Sequence, residues 1–216
     1  MDERNPSSLR LISTLSMTGL VSGLILVGVF LATRPAIERN QAEALERAIF
    51  RVLPGAAGIE PMTLAGDALQ PWRGVGRPPA DGTIYAGLDE SGRLVGWAIP
   101  AGGAGFMDTI RLIYGYEPAS GLVVGMRVLD SRETPGLGDK IVHDEVFLAN
   151  FEALAIEPAI EGTKKGRTRP NEVDTITGAT ISSEAVIAIL NRSAERWVPV
   201  IDRTDAARDG GGDDGR

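Results

Sequence analysis

The longest apolar run of the chain lies close to its N-terminus, between Leu11 and Thr33. It reads LISTLSMTGLVSGLILVGVFLAT, includes no charged residue, and is flanked by Arg10 and Arg34. An α-helix rises about 1.5 Å per residue, so the run is long enough to cross a hydrocarbon core of about 30 Å. The pattern therefore predicts a transmembrane helix over residues 11–33.

A cleaved signal peptide is the alternative interpretation of this run. Its apolar core would be shorter, about 7–15 residues, and a cleavage site of small residues would follow. Residues 32–35 (ATRP) fit such a site poorly, which favours a retained anchor. Arg4 and Arg10 precede the run and Arg34 and Arg39 follow it, so the charges leave its orientation open.

Beyond the membrane run, the apolar positions recur first at helical and then at strand spacing. Residues 37–53 predict a stalk helix that ends before Pro54, and a Gly- and Pro-rich segment then predicts an irregular connection. The stalk and the connection together occupy residues 34–81. Strand-like runs separated by turn residues predict an antiparallel sheet, with strands at Thr83–Leu88, Leu94–Ile99, Thr109–Tyr114 and Leu122–Leu129.

Two amphipathic helices are predicted after the strands, over residues 144–154 and 182–198. The basic segment 163–171 between them is typical of a solvated surface turn. The Gly- and Asp-rich residues 201–216 predict a disordered tail, because they bury too little apolar surface. The pattern as a whole predicts an α+β protein, in which one transmembrane helix precedes a domain over residues 82–200 with helices flanking an antiparallel sheet.

The composition narrows the chemistry that such a domain can perform. A net charge of −7 and the lack of a basic stripe argue against a nucleic-acid partner. The chain has no cysteine and one histidine, which excludes disulfides, iron–sulfur ligation and a multi-histidine metal site within it. Any redox chemistry must therefore come from a bound organic cofactor. No metal ligand set is predicted.

The first motif is DTITGAT, residues 174–180, which lies directly before the second predicted amphipathic helix. A helix N-terminus offers free amide groups and partial positive charge, which suit a phosphate group. Gly178 has no side chain and Ala179 has a small one, so a flat ring could approach the backbone. The alternative is an ordinary helix cap, in which the Thr180 hydroxyl satisfies the first amides.

The second motif, ETPGLG at residues 133–138, follows the last predicted strand. Two glycines flanking a leucine allow the backbone to approach a flat ligand while the leucine covers its face. A Pro-Gly turn that joins a strand to a helix is the alternative. The loop lacks the G-x-G-x-x-G pattern of dinucleotide-binding loops.

The run ETPGLGDKI at residues 133–141, together with residues 174–180, resembles the G subunit of Rnf-type ion-translocating electron-transport complexes. The single N-terminal span and the glycine-rich residues 102–106 before a strand are also similar to that family. The resemblance extends from the span to about residue 197. The C subunit of the sodium-translocating NADH:quinone reductase shares the flavin motif and is the alternative. A membrane-anchored binding module without flavin is a further alternative.

The resemblance implies that FMN is attached covalently, through its phosphate, to Thr180. It implies that a flavin transferase reads Asp174, Thr177, Gly178 and Ala179. The residues that would lie against the flavin belong to the second motif: Glu133, Thr134, Pro135, Gly136, Leu137 and Gly138.

The resemblance also implies where the chain works and with what. It implies a single-pass protein of the cell inner membrane, with residues 1–10 in the cytoplasm and the folded domain on the periplasmic side. The partners would be the other membrane, iron–sulfur and flavin subunits of the complex. That complex couples electron transfer between ferredoxin and NAD to ion translocation, and this chain holds no complete active site by itself.

Overall fold

The computed structural model describes residues 8–210, and its contacts divide the chain into two units between Ala44 and Leu45. The first helix, α1 (Ser8–Val52), is long and apolar enough to cross a membrane, with a mean hydropathy of 2.2 over its most apolar window. The residues for which the sequence predicts a membrane span and a stalk helix, 11–33 and 37–53, lie within α1 up to Val52. Pro35 lies inside it, because the helical bonds on both sides outweigh the one that proline removes.

The folded domain is built on a seven-stranded antiparallel sheet with strand order β2-β1-β3-β4-β5-β6-β7. The predicted antiparallel sheet is confirmed, and each of the four predicted runs lies within one of the strands β3 to β6. The strands are β1 (Gly58–Ala65), β2 (Ala68–Pro71), β3 (Thr83–Leu88), β4 (Leu94–Ala104), β5 (Thr109–Glu117), β6 (Leu122–Asp130) and β7 (Leu154–Ala155).

Strands β1 and β2 occupy a segment for which the sequence predicts an irregular connection, and that expectation is wrong for residues 58–71. β1 pairs with β3 over six residue pairs and with β2 on its other side. Met62 and Leu69 contribute buried side chains to the core. The pairing partners and the buried contacts override the poor strand propensity of this Gly- and Pro-containing segment.

The two faces of the sheet carry separate apolar clusters. The end of α1 covers one face through Ile49 and Val52, which pack with Ile113 of β5. A Cβ atom added at Gly115 would lie 1.9 Å from the Val52 carbonyl oxygen, so only glycine allows this close approach. The other face carries the larger cluster, in which α4 (Thr180–Gly210) packs against β4 and β5.

The remaining elements join the sheet to α4. They are α2 (Lys140–His143), α3 (Glu145–Ala149), and the parallel pair β8 (Glu161–Thr163) and β9 (Glu172–Asp174). The helix predicted over residues 144–154 ends early, because the Asn150 side-chain amide donates to the carbonyls of Val146 and Phe147 at 3.0 Å each. Residues 154–155 form β7 instead.

The last helix is longer than the sequence predicts, and the expected disorder from residue 201 onward is wrong for residues 201–206. Ile201 is fully buried, and Thr204 is buried with its hydroxyl accepting a 3.4 Å hydrogen bond from the Leu69 amide of β2. These contacts with β2 and the core supply the burial that the local composition lacks. The end of the predicted tail, residues 211–216, lies outside the described residues.

Candidate functional site

The two sequence motifs meet at one cavity of about 350 Å³, where the loop after β6 faces the beginning of α4. This volume lies within the range of about 300–1,000 Å³ that small-molecule sites occupy. The cavity is lined by Phe106, Glu133, Thr134, Leu137, Gly138, Gly178, Ala179, Thr180, Ile181 and Ser182.

The loop after β6 turns sharply within the second motif. The Leu137 amide donates a 3.1 Å hydrogen bond to the Thr134 carbonyl, and the backbone of Gly136 between them has a φ of 77°. An L side chain rarely adopts this conformation, so the turn requires glycine at that position. The turn carries Leu137 to the cavity wall with its side chain 51% exposed.

Glu133 connects the three segments that surround the cavity. Its Oε1 accepts hydrogen bonds from the backbone amides of Phe106 at 2.9 Å and Met107 at 3.0 Å, in the turn between β4 and β5. Its Oε2 accepts a 2.6 Å hydrogen bond from the Ser182 hydroxyl in the first turn of α4. The carboxylate therefore fixes the relative positions of the turn, the loop and the helix.

Two glycines make room for this carboxylate. A Cβ atom at Gly105 would lie 2.5 Å from Glu133 Oε1. A Cβ atom at Gly138 would lie 2.7 Å from both Glu133 Oε2 and Ser182 Oγ. Both positions are thus restricted to glycine by the group that they enclose.

Glu133 is 5% exposed, yet its surroundings favour the charged form. Burial raises the pKa of the Glu133 carboxyl, but the hydrogen bonds from Ser182 and from the Met107 and Phe106 amides outweigh it. The net result is a pKa below the usual value for glutamate. The wall of the cavity therefore holds a buried negative charge at neutral pH.

The first motif forms a turn between β9 and α4. Gly178 has a φ of 85°, and the Ala179 amide donates to the Ile176 carbonyl at 2.9 Å. The buried Ser183 hydroxyl accepts a 3.1 Å hydrogen bond from the Ile176 amide and donates to the Ala179 carbonyl at 2.9 Å. Ser183 thus fastens the preceding turn to the helix.

Thr180 does not cap this helix in the described part of the chain. Its hydroxyl makes no hydrogen bond with any residue between 8 and 210. Over the same range the amides of Thr180, Ile181 and Ser182 have no acceptor. A hydroxyl without a hydrogen-bond partner and three free amide donors therefore belong to residues that line the same cavity, and a phosphate group fits such donors.

Not every residue of the two motifs reaches the cavity. Asp174 and Thr177 are absent from its lining, as are Pro135 and Gly136, which lie on the outer side of the loop. The Asp174 carboxylate instead accepts a 3.1 Å hydrogen bond from the Arg167 amide. Asp174 therefore holds the neighbouring surface loop in place.

Three lining residues were not singled out from the sequence as contacts of the ligand: Phe106, Ile181 and Ser182. Phe106 and Ile181 are 59% and 57% exposed, so both leave apolar surface accessible at the cavity. Phe106 ends a glycine-rich run, which is a local signal of a special turn. Ile181 and Ser182 follow Thr180 in the chain, and nothing in the local sequence indicates that they line the cavity.

The cavity combines an apolar rim, glycine-restricted walls and free amides. The exposed side chains of Phe106, Leu137 and Ile181 suit the faces of a flat aromatic ring system. The amides at the beginning of α4 suit a phosphate. The residues present therefore fit a molecule that joins an aromatic ring system to a phosphate, as FMN does.

Comparison with known proteins also indicates an FMN-binding domain. Residues 105–195 match the family of FMN-binding domains. The G subunit of the ion-translocating oxidoreductase complex of Methanosarcina acetivorans is 31% identical over 186 residues, 86% of this chain and 92% of that protein. The G subunit of the Na⁺-translocating ferredoxin:NAD⁺ oxidoreductase complex of Acetobacterium woodii is 30% identical, covering 76% of this chain and 78% of that one.

Two solved structures share the fold at lower sequence identity. The C subunit of the Na⁺-translocating NADH-quinone reductase from Parabacteroides distasonis has a TM-score of 0.56 and is 17% identical, covering 74% of this chain and 93% of that one. NqrC of Shewanella oneidensis has a TM-score of 0.50 and is 18% identical, covering 67% of this chain and 80% of that one. At these identities the similarity shows the α+β fold alone.

Proposed function

Because this chain belongs to the family of G subunits of ion-translocating oxidoreductase complexes, we propose that it carries a covalently attached FMN within such a complex. The family and the matched domain make the chain a flavin-binding electron-transport subunit. The covalent attachment, its position and the coupling to ion movement are our proposals.

The observation that carries the proposal is the environment of Thr180. Its hydroxyl borders the cavity and makes no hydrogen bond within residues 8–210, while Ser183 fastens the turn that precedes α4. The hydroxyl of Thr180 is therefore available to form a phosphoester with FMN. The same observation counts against the competing hypothesis, a flavin-free binding module in which Thr180 only caps the helix.

The lining residues have separate roles in this proposal. The amides of Thr180, Ile181 and Ser182 would hold the phosphate, while Phe106 and Leu137 would cover the ring system. Thr134, Gly138, Gly178 and Ala179 would border it. When bound, the flavin supplies transfer of one or two electrons. Covalent attachment keeps such a cofactor from dissociating, whatever its intrinsic affinity.

Asp174, Thr177, Pro135 and Gly136 have a different role in the proposal, because they lie outside the cavity lining. We propose that Asp174 and Thr177 belong to the sequence that a flavin transferase reads, together with Gly178 and Ala179. Thr177 is exposed and so accessible to such an enzyme. Pro135 and Gly136 shape the turn that presents Leu137.

We further propose that the complex couples electron transfer between ferredoxin and NAD to ion translocation. The name of the Acetobacterium woodii relative, a Na⁺-translocating ferredoxin:NAD⁺ oxidoreductase, supports this. The chain would act as an electron carrier in an oxidoreductase of the translocase class, with its partners among the other membrane, iron–sulfur and flavin subunits. The relatives at 30–31% identity are G subunits, which favours this assignment over the C subunit of the quinone reductase.

Mass spectrometry of the full-length chain, produced together with an active flavin transferase, tests the attachment. The wild-type mass should exceed that of the unmodified chain by one FMN less one water. Thr180→Val should abolish the adduct, because it replaces the hydroxyl with a methyl group of similar size. Ser182→Ala removes the neighbouring hydroxyl of the cavity and serves as the matched control that keeps the adduct. An unmodified wild-type mass under these conditions would disprove the covalent attachment.

A further inference from the structure

A second cavity, of about 210 Å³, lies further along α4 and shares no lining residue with the first. It is bounded by the segment 80–83 before and at the start of β3, by residues 100–102 of β4, and by one face of α4. Arg192 lies ten positions beyond Ser182, which corresponds to about 15 Å along a helix. The proposed flavin chemistry makes no use of this cavity.

Two arginines of α4, both exposed, border the second cavity. Arg192 and Arg196 are one helical turn apart and therefore share a face. Arg192 Nη1 lies 3.4 Å from where a Cβ atom of Gly103 would be, so its guanidinium rests over a bare glycine. The Arg196 guanidinium carbon lies 4.9 Å from the ring centre of Trp197, a cation–π contact.

Neither guanidinium forms an ion pair with a carboxylate of residues 8–206, whose side chains the structure describes. Arginine presents several N–H donors in a planar fork that matches the oxygens of carboxylates and phosphates. Both arginines line the same cavity from one helix face. Both charges are therefore available to bind an anion from outside the chain.

Ser193 adds a third donor between the two arginines. The Tyr114 hydroxyl donates a 3.0 Å hydrogen bond to Ser193 Oγ, and Tyr114 is fully buried. Burial raises the pKa of the Tyr114 phenol well above its ordinary value, so the phenol keeps its proton and remains a donor. Because Ser193 Oγ accepts from Tyr114, its own proton is free to be donated towards the cavity that Ser193 lines.

Asp81 also lines the cavity and sets the charge balance. One carboxylate against two guanidiniums leaves a net charge of plus one at the site. The Asp81 carboxylate weakens the attraction of the site for an anion, but the net charge of the site remains positive. It also provides a residue whose neutralisation should strengthen anion binding.

We propose that this second cavity binds a phosphate-type oxyanion, held by Arg192, Arg196 and the Ser193 hydroxyl. Phosphate oxygens match the paired guanidinium forks and the hydroxyl donor, and the cavity has room for more than a bare ion. Two sources offer this same chemistry, free inorganic phosphate and the phosphodiester of a phospholipid headgroup. The site is independent of the flavin proposal and does not require Thr180 to be modified.

Isothermal titration calorimetry tests this with the full-length chain in a non-ionic detergent at constant ionic strength. One titration uses sodium phosphate, with sodium chloride as the blank, and a second uses dihexanoyl phosphatidylglycerol below its micelle concentration. The double variant Arg192→Gln/Arg196→Gln should weaken saturable binding about tenfold or more, because it removes both charge-assisted contacts. Asp81→Asn should tighten binding about threefold or more, because it removes the opposing charge.

The matched control is Lys164→Gln/Lys165→Gln, which removes two positive charges from an exposed turn outside the cavity and should leave the affinity unchanged. Thermal unfolding of each variant establishes that the domain stays folded. Arginine-dependent binding of phosphate identifies a free oxyanion, and arginine-dependent binding of the lipid alone identifies a headgroup. The proposal is overturned if neither probe binds saturably, or if the arginine variant binds as well as the wild type.

Discussion

Glu133 shows how one side chain defines a site at the residue scale. Its carboxylate receives hydrogen bonds from the turn between β4 and β5 and from the first turn of α4, and two glycines enclose it. The sequence resemblance placed Glu133 against the flavin. The geometry adds that its carboxylate holds the walls of the cavity together, which makes it a positioning residue.

Replacing Glu133 should destabilise the domain in a graded way. Glu133→Ala leaves the Phe106 and Met107 amides without an acceptor and should lower the free energy of unfolding by about 3 kcal/mol. Glu133→Gln keeps one acceptor oxygen for these amides and should cost about 1 kcal/mol. Urea unfolding of the full-length chain measures both, and Glu152→Gln at an exposed position is the matched control. Equal losses for the two Glu133 variants would contradict the positioning role.

The same residue predicts a pH dependence. The pKa of Glu133 is lower in the folded state than its ordinary value, so its stabilising contribution is present above that ordinary value. The contribution is lost as the pH falls through the lowered pKa of the folded state. The stability difference between wild type and Glu133→Gln should therefore be largest near pH 7 and shrink below about pH 4. A difference that stays constant down to about pH 3 would refute this.

At the scale of elements, α4 serves several parts of the molecule at once. Its first turn borders the first cavity, its middle turns border the second cavity, and its last described turns pack against β2. The contact with β2 explains why residues 201–206 are helical although the local sequence predicts disorder. The edge strand β2 and the end of α4 therefore stabilise each other.

The element-scale prediction concerns Ile201. Because this side chain is fully buried, Ile201→Ala should lower the free energy of unfolding by about 2–5 kcal/mol. Arg203→Ala, two positions along on the exposed side, should change it by about 0.5 kcal/mol or less. Chemical denaturation of the two variants makes the comparison. Similar stability for both would mean that residues 201–206 do not pack against the core.

At the scale of the whole molecule, the chain joins a membrane-length helix to a flavin-binding domain. The membrane assignment follows from the apolar part of α1, and membership of a membrane complex agrees with it. The arginines around the span are balanced and leave the side of the domain open. We propose that the domain lies on the periplasmic side, as the resemblance to the family implies.

Cysteine labelling tests that orientation, because the natural chain has no cysteine and each introduced thiol is unique. Glu152→Cys places a thiol at an exposed position of the domain, and Asn5→Cys places one before the span. In cells with a permeabilised outer membrane, a membrane-impermeant maleimide should label Glu152→Cys and leave Asn5→Cys unlabelled. The reverse pattern would place the domain in the cytoplasm.

Local patterns in the sequence were sufficient to predict the membrane-length helix, strands β3 to β6 and the two motifs that meet at the first cavity. Periodicity over neighbouring residues carries this information, because it reports which side chains one face of a helix or strand can bury. The resemblance of residues 133–141 and 174–180 then indicated the family, which the relatives confirm.

Only the tertiary structure decided which residues work together. It showed that β1 pairs with β2 on one side and β3 on the other, that Glu133 receives donors from two distant segments, and that Phe106 and Ile181 complete the cavity. It also brought Asp81 to the same cavity as Arg192 and Arg196. Each of these depends on partners far apart in the chain, and burial by a distant partner leaves no local periodic signal.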